Sequence, residues 1–224
     1  MILRRKARFG ERSLSPAALI LAVTLATALL LLIPIIFGKG PYSAEQLGIL
    51  HVVSCRDDDG DGTDNYTDIV ISAREYISTS PIYGSAYYAG GYPNDGKGVC
   101  TDVIWKAFIG AGIDLKAAID KDISEFTDLY PRVTKPDPNI DFRRVANLNT
   151  YFSRTAISLT TDLSMVNEWQ AGDIVVFEGH IAICSDKRNR KGVPYIIHHS
   201  PLGAVEADDM YKYKVIAHYR LSDS

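Results

Sequence analysis

Four short β-branched runs crowd into the last third of this 224-residue chain: "DIVVFE" (173–178), "HIAICS" (180–185), "YIIHH" (195–199) and "VIAHYRL" (215–221). Each is bounded by Gly, Asp or Pro, as strands between turns are. Before them, apolar residues recur at helical spacing. Ile69, Val70, Ala73 and Ile77 share one face of residues 67–77, and Val103, Ile104, Ala107, Phe108 and Ala111 do the same after Cys100. Gly112 is placed to end that second helix, and 114–130 reads as a third. Helices first and strands afterwards, without alternation, argue against a parallel βαβ sheet. They predict an α+β fold, with N-terminal helices packed on a small antiparallel sheet. The Tyr/Gly/Pro-rich 80–98 and the Pro-rich 130–148 read as loops.

The N-terminus has a different texture. Pro16–Phe37 is 22 residues without a charge, long enough to cross a hydrocarbon core of about 30 Å as one helix. Arg4, Arg5, Lys6, Arg8 and Arg12 against Glu11 give the first fifteen residues a net charge of +4, while the whole chain carries −3. Positive charge before the apolar run puts 1–15 in the cytoplasm, 16–37 in the bilayer as a single-pass anchor, and the remainder outside the cell membrane. With basic residues concentrated there, no basic stripe is left to bind nucleic acid. Residues 38–66 read as a linker and 67–224 as the extracytoplasmic domain.

Three cysteines, Cys55, Cys100 and Cys184, are an odd set without metal-ligand spacing, so at most one disulfide can form within the chain. Cys184 reads as core packing. Cys100 opens a helix behind the Gly-rich "YPNDGKG", where first-turn amides and the helix dipole favour a thiolate. A thiol nucleophile needs a base, and histidine is the usual one. His51 lies close to the anchor, and His218, in the last run, suits a satisfied structural role. His180 begins a strand and shares a face with Ala182 and Cys184, small side chains that leave room for a packed partner such as the Cys100 helix. His198 and His199 point to opposite faces, so only one can join His180, and periodicity leaves open which.

"YYAGGYPNDGKGVCTDVIWKAF", "PDPNIDFRRVANL", "GDIVVFEGHIAICSD" and "YIIHHSPLG", in that order, resemble the bacterial family catalogued as domain of unknown function 1287, over roughly residues 67–221. That family is similar to NlpC-type cell-wall cysteine peptidases of papain-like fold. The resemblance implies Cys100 as nucleophile, His180 as base and His198 as the residue that orients it. It implies Tyr87 or Tyr88 as lining the substrate cleft, and peptidoglycan peptides as substrate, with no cofactor for catalysis. Three positions depart from the pattern. His199 stands where the family usually has Asn, Phe142 where it has His, and Val99-Cys100-Thr101 replaces the peptidases' Asp-Cys-Ser. Asp102, in the first helical turn, suits either the helix dipole or a substrate contact. Arg143 and Arg144 suit a substrate carboxylate, a structural pair or water.

"DDDGDGTDNYTD" (57–68) fits a twelve-residue calcium loop. Asp57, Asp59, Asp61, Asn65 and Asp68 fall at positions one, three, five, nine and twelve, with Gly62 at six. An Asp in place of Glu at position twelve and Asp64 at position eight depart from that pattern. A structural Ca²⁺ there would stiffen the junction to the domain; a solvated acidic linker is the alternative.

Overall fold

The computed structural model describes residues 40–223, together with 15–17, 20, 23, 24 and 27 of the N-terminal stretch. The chain divides into two compact units, Met1–Lys39 and Gly40–Ser224. In the first, the described residues between 16 and 27 are helical, and Thr24 and Thr27 turn their hydroxyls onto the carbonyls of Ile20 and Val23. No helix among the described residues is long and apolar enough to cross a membrane; most of the expected span 16–37, and nearly all of the basic tail, lie outside those residues.

The second unit holds four α-helices: α1 (Asn65–Ser78), α2 (Cys100–Gly110), α3 (Leu115–Glu125) and α4 (Val145–Thr155). Asp64 caps α1, its carboxylate accepting the Tyr66 N–H at 3.1 Å, and Asp114 caps α3 through the Ala117 N–H at 2.9 Å. The expected third helix, 114–130, stops at Glu125 and gives way to a single 3₁₀ turn, Thr127–Leu129. The apolar stripes of α1 and α2 face each other at close range. A Cβ on Gly110 would lie 1.8 Å from Ser72 Oγ, so only glycine lets the two helices approach there.

The strands are β1 (Ile82–Tyr83) and β2 (Lys97–Gly98), paired parallel, then β3 (Ile157–Ser158), β4 (Ile174–Phe177), β5 (His180–Arg188), β6 (Pro194–Ser200), β7 (Gly203–Ala207) and β8 (Val215–Arg220). The last six form one antiparallel sheet of order β3-β8-β4-β5-β6-β7. The α+β architecture expected of the sequence is therefore present, with β3 and β7 as additional edge strands.

Alternation along β5 and β6 sorts the core into two clusters. Ile181, Ile183 and Ile197 pack under the helices with Val103, Ile104 and Phe108, while Ala182, Cys184 and Ile196 pack on the other face with Trp169, Phe177 and Met210. This corrects one expectation. The small side chains beside His180 make room for the Trp169 cluster, and the Cys100 helix lies on the isoleucine face, because the larger β-branched side chains supply the helix-facing seam.

The supposed linker also needs correcting, because from Gly40 it belongs to the domain. Tyr42 exchanges two backbone hydrogen bonds of 2.8 Å with Arg188, Gln170 Nε2 donates to the Leu50 carbonyl at 3.0 Å, and Ala44, Ile49 and Ser54 are buried.

Candidate active site

The turn that ends β4 sets the position of His180. Only Glu178 and Gly179 separate the strands; Gly179 takes φ +75°, and His180 pairs across the hairpin with Phe177. The imidazole stacks on Tyr213 with centroids 4.8 Å apart, and its Nε2 lies 2.9 Å from His198 Nδ1. Among the described residues, Nδ1 of His180 makes no hydrogen bond. His198 is thus the histidine that joins His180. His199, on the opposite face, meets the Tyr76 hydroxyl through Nδ1 at 3.1 Å and the edge of the Tyr83 ring.

Cys100 stands at the first residue of α2. The backbone N–H groups of Ile181, Thr101 and Cys100 itself face its thiol, so the sulfur sits against the residue that follows His180. All three cysteines are free: Cys55 is exposed, and Cys100 and Cys184 are buried. Burial dominates the electrostatics. It pushes the Cys100 thiol up to about 11, outweighing those amides. It also holds His180 down to about 4, with His198 and His199 acting in the same direction. At neutral pH the resting pair is therefore a thiol and a neutral imidazole, not an ion pair.

That depression has a consequence for stability. Between pH 6.5 and 4 the unfolded chain binds a proton that folded His180 refuses, so its contribution is complete above pH 6.5 and is lost as pH falls toward 4. Asp68, raised to about 6 by burial and neighbouring carboxylates, acts with the opposite sign over nearly the same window. Comparison with a His180→Asn variant isolates the histidine. Urea unfolding at pH 7 and pH 4.5 is expected to show the wild type losing roughly 2–3 kcal/mol more than the variant. Equal losses would mean that His180 is not held neutral by the fold.

An aspartate that sequence patterning does not single out completes the row. Asp209 Oδ2 lies 3.5 Å from His198 Nε2, a ring nitrogen that is buried and otherwise without a hydrogen-bond partner, and Lys212 Nζ contacts the other carboxylate oxygen at 2.7 Å. Asp209 precedes a 3₁₀ turn, Met210–Lys212, in the β7–β8 connection. No periodicity brings that connection beside β6, so its position was not legible from spacing.

The remaining expected residues divide clearly. Tyr87 is 62 % exposed and its hydroxyl is held by Asp137 and Asn139, at the rim of the 80–98 loop. Tyr88 is buried, bonds Asp95 at 3.0 Å and lies under the Arg143 guanidinium, so it belongs to the scaffold. Asp102 does not face a substrate. Its side chain is 1 % exposed and accepts from Val99 N–H, Trp105 Nε1 and, through both oxygens, Arg143 at 2.7 and 2.9 Å. The dipole-side reading holds, because a carboxylate at the helix start satisfies otherwise orphaned amides. Arg143 is thereby committed to Asp102, while the half-exposed Arg144 pairs with Asp141. His218 has the structural role expected of it, bonded to Asp173 at 2.8 Å and stacked on Trp169.

Of the acidic loop, Asp57, Asp59 and Asp61 come together, with one carboxylate oxygen of each within 4.8 Å of the others. Asn65 does not join them: it accepts the Asp58 N–H at 2.9 Å and donates to the Asp58 carboxylate at 3.0 Å. Two surface cavities, of about 410 and 510 Å³, have linings that include Tyr42 and Arg188, and Ser72 and Gly110; neither is lined by Cys100, His180 or His198. Cys100 and His180 are instead both buried, 6 % and 8 % exposed.

The geometry defines a class: an α+β domain with a thiol at a helix tip, against a strand whose first residue is one of two hydrogen-bonded histidines. The chain belongs to the family described as a domain of unknown function, DUF1287, whose model matches residues 70–221. It is 35 % identical over 164 residues to the uncharacterized protein YijF of Escherichia coli (strain K12), covering 68 % of this chain and 80 % of that protein. No solved structure gives a match. Cys100, His180, His198 and Asp209 fall inside the family match, and the acidic loop precedes it.

Proposed function

We propose that this is a membrane-anchored, outward-facing cysteine hydrolase of papain-like, NlpC-type fold, an amidase or endopeptidase acting on peptidoglycan peptides. The single observation that carries the reading is the His180 Nε2–His198 Nδ1 contact of 2.9 Å, which leaves His180 Nδ1 free on the strand whose next residue, Ile181, turns its backbone N–H toward the helix-tip thiol. The length and flanking charge of 16–37, and the back-bonded threonines within it, support the anchor.

The chemistry follows from proton placement. Asp209 favours the His198 tautomer protonated at Nε2, so Nδ1 accepts from His180 Nε2–H and the lone pair of His180 Nδ1 is the base. Cys100 sulfur attacks the substrate carbonyl while its proton passes to His180. Burial disfavours both the thiolate and the imidazolium, so in this scheme the transfer accompanies C–S bond formation. Backbone N–H groups at the start of α2 stabilise the oxyanion. The C–N bond breaks as His180 returns the proton to the leaving amine, and water then hydrolyses the thioester to a free carboxylate.

Asp209 acts in this scheme as a positioning residue. Asp209→Asn is expected to lower kcat by about 10- to 100-fold with KM unchanged. Asp209→Glu should recover part of the loss, which a merely structural role would not give.

A second reading, a binding module that holds cell-wall peptides without cutting them, draws support from the burial and high pKa of Cys100. Incubation with purified peptidoglycan and mass analysis of the products separates the two. New free amines paired with new carboxylates indicate hydrolysis, and new amide linkages indicate transfer to an amine. Unchanged muropeptides overturn the enzymatic reading.

A further inference from the structure

We propose that Tyr76 and His199 form a second hydroxyl–imidazole pair that positions the backbone carrying Cys100, an inference that rests on the cysteine-hydrolase reading for its catalytic meaning. His199 is fully buried, and its parity with Ile197 puts it on the helix-facing side of β6, opposite His198. Its Nδ1 lies 3.1 Å from the Tyr76 hydroxyl. The Pro81 carbonyl, one residue before β1, acts on the ring, but no hydrogen bond of good geometry reaches the buried Nε2. A half-satisfied imidazole in an apolar layer costs stability, where an aliphatic side chain would not. Its presence there calls for a role other than stability.

The pair grips both strands of the small parallel sheet that leads into α2. Tyr76, in the last turn of α1, lays its hydroxyl on β2: a Cβ on Gly98 would lie 2.1 Å from it, so only glycine lets the backbone come that close. Tyr83 of β1 meets the His199 ring edge-on, with centroids 5.2 Å apart and planes at 88°. Tyr83 and Gly98 are register partners across the sheet. The contacts therefore close a ring, from Tyr76 to Gly98, to Tyr83, to His199 and back to Tyr76. Strands two residues long, paired parallel and largely exposed, do not hold a position by themselves. The ring ties them to α1 and β6, and Cys100 follows Gly98 by two residues. Asp102 holds the residue between, accepting the Val99 N–H at 2.7 Å.

His198 and His199 thus divide the work along one strand. His198 orients the imidazole of His180, and His199, through Tyr76, sets where the thiol stands relative to it. Tyr76 and His199 are positioning residues, acting through the backbone before Cys100. A misplacement of about 1 Å at a reacting group costs up to about 100-fold in rate, so their loss is expected in kcat and not in KM.

Hydrogen exchange read by mass spectrometry on the whole 224-residue chain in detergent tests the arrangement. Tyr76→Phe should speed exchange of the amides in 82–84 and 97–101 by about tenfold and leave 180–188 as in the wild type. On solubilised peptidoglycan peptides it should lower kcat by about 10- to 100-fold with KM unchanged. His199→Leu should behave in the same way, each variant standing in for the other if one fails to fold. His199→Asn, whose amide stands where Nδ1 does, should recover part of both effects, which filling the same volume would not do. Unchanged exchange in the folded variants, equal behaviour of the Leu and Asn variants, or quickened exchange with undiminished kcat would overturn the inference. Quickened exchange together with a wild type that releases nothing from peptidoglycan would overturn the hydrolase reading and leave the positioning contact standing.

Discussion

If the proposed chemistry holds, Cys100→Ala is expected to abolish product release from purified peptidoglycan, by at least about 10⁴-fold, with the circular dichroism spectrum and Tm close to those of the wild type. The size follows from the role: without sulfur there is no thioester, and loss of a covalent nucleophile removes the whole acyl-transfer path. The fold survives because the change trims one small side chain from a helix tip, whereas the seam of α2 is formed by Val103, Ile104, Ala107 and Phe108, which remain in place. Cys184→Ala is the control. It is completely buried in the cluster with Trp169 and Phe177, so it should cost stability and leave turnover per folded molecule alone. Retained hydrolysis in Cys100→Ala would remove the nucleophile from the scheme and the enzymatic reading with it.

The largest effect on stability is expected at Asp102. Asp102→Ala leaves Arg143, whose side chain is 1 % exposed, as an uncompensated buried cation. It also orphans the Val99 N–H and the Trp105 indole N–H, held at 2.7 Å each. Breaking one side of a buried pair costs about 3–5 kcal/mol, more than a well-packed apolar replacement of both partners would. For a domain of this size that lowers Tm by about 10 °C. Differential scanning calorimetry checks it, and the double change Asp102→Leu with Arg143→Met should recover part of the loss. A single-variant loss below about 1 kcal/mol would mean that the ion pair does not hold the start of α2.

Much of this arrangement was legible in the residues. The 3.6-residue stripes of α1 and α2, the switch to β-branched runs, and the glycine that ends the Cys100 helix gave the α+β order without any knowledge of contacts. Alternation in "YIIHH" required His198 and His199 to diverge, and they do, one toward His180 and the other toward Tyr76. The same rule placed His180 on the face of Ala182 and Cys184 correctly, but not what covers that face. Periodicity reports which side chains share a face; it carries no information about which layer lands on it. The linker reading failed for a similar reason. Residues 40–66 are short of apolar periodicity, yet a β-bridge at Tyr42 and a glutamine side chain hold them to the domain.

Asp102 shows the limit most clearly. Its position in a first helical turn predicts a dipole partner, and that role is present. Its commitment to Arg143 depends on the loop 130–144 folding back onto α2, 41 residues away in sequence. Asp209 depends in the same way on where the β7–β8 connection comes to rest.

Local chemistry by itself determined the helix-tip thiol, the strand-first imidazole and the divergence of the paired histidines, because each is a property of neighbouring residues under a repeat of 2 or 3.6. Only the tertiary structure decided that His198 meets His180, that Asp209 backs His198, that Asp102 is sealed behind Arg143 and that Asp68 is buried without a donor. Those outcomes belong to chain segments that pack together from distant positions, and burial, which sets their protonation and their partners, exists only once they have packed.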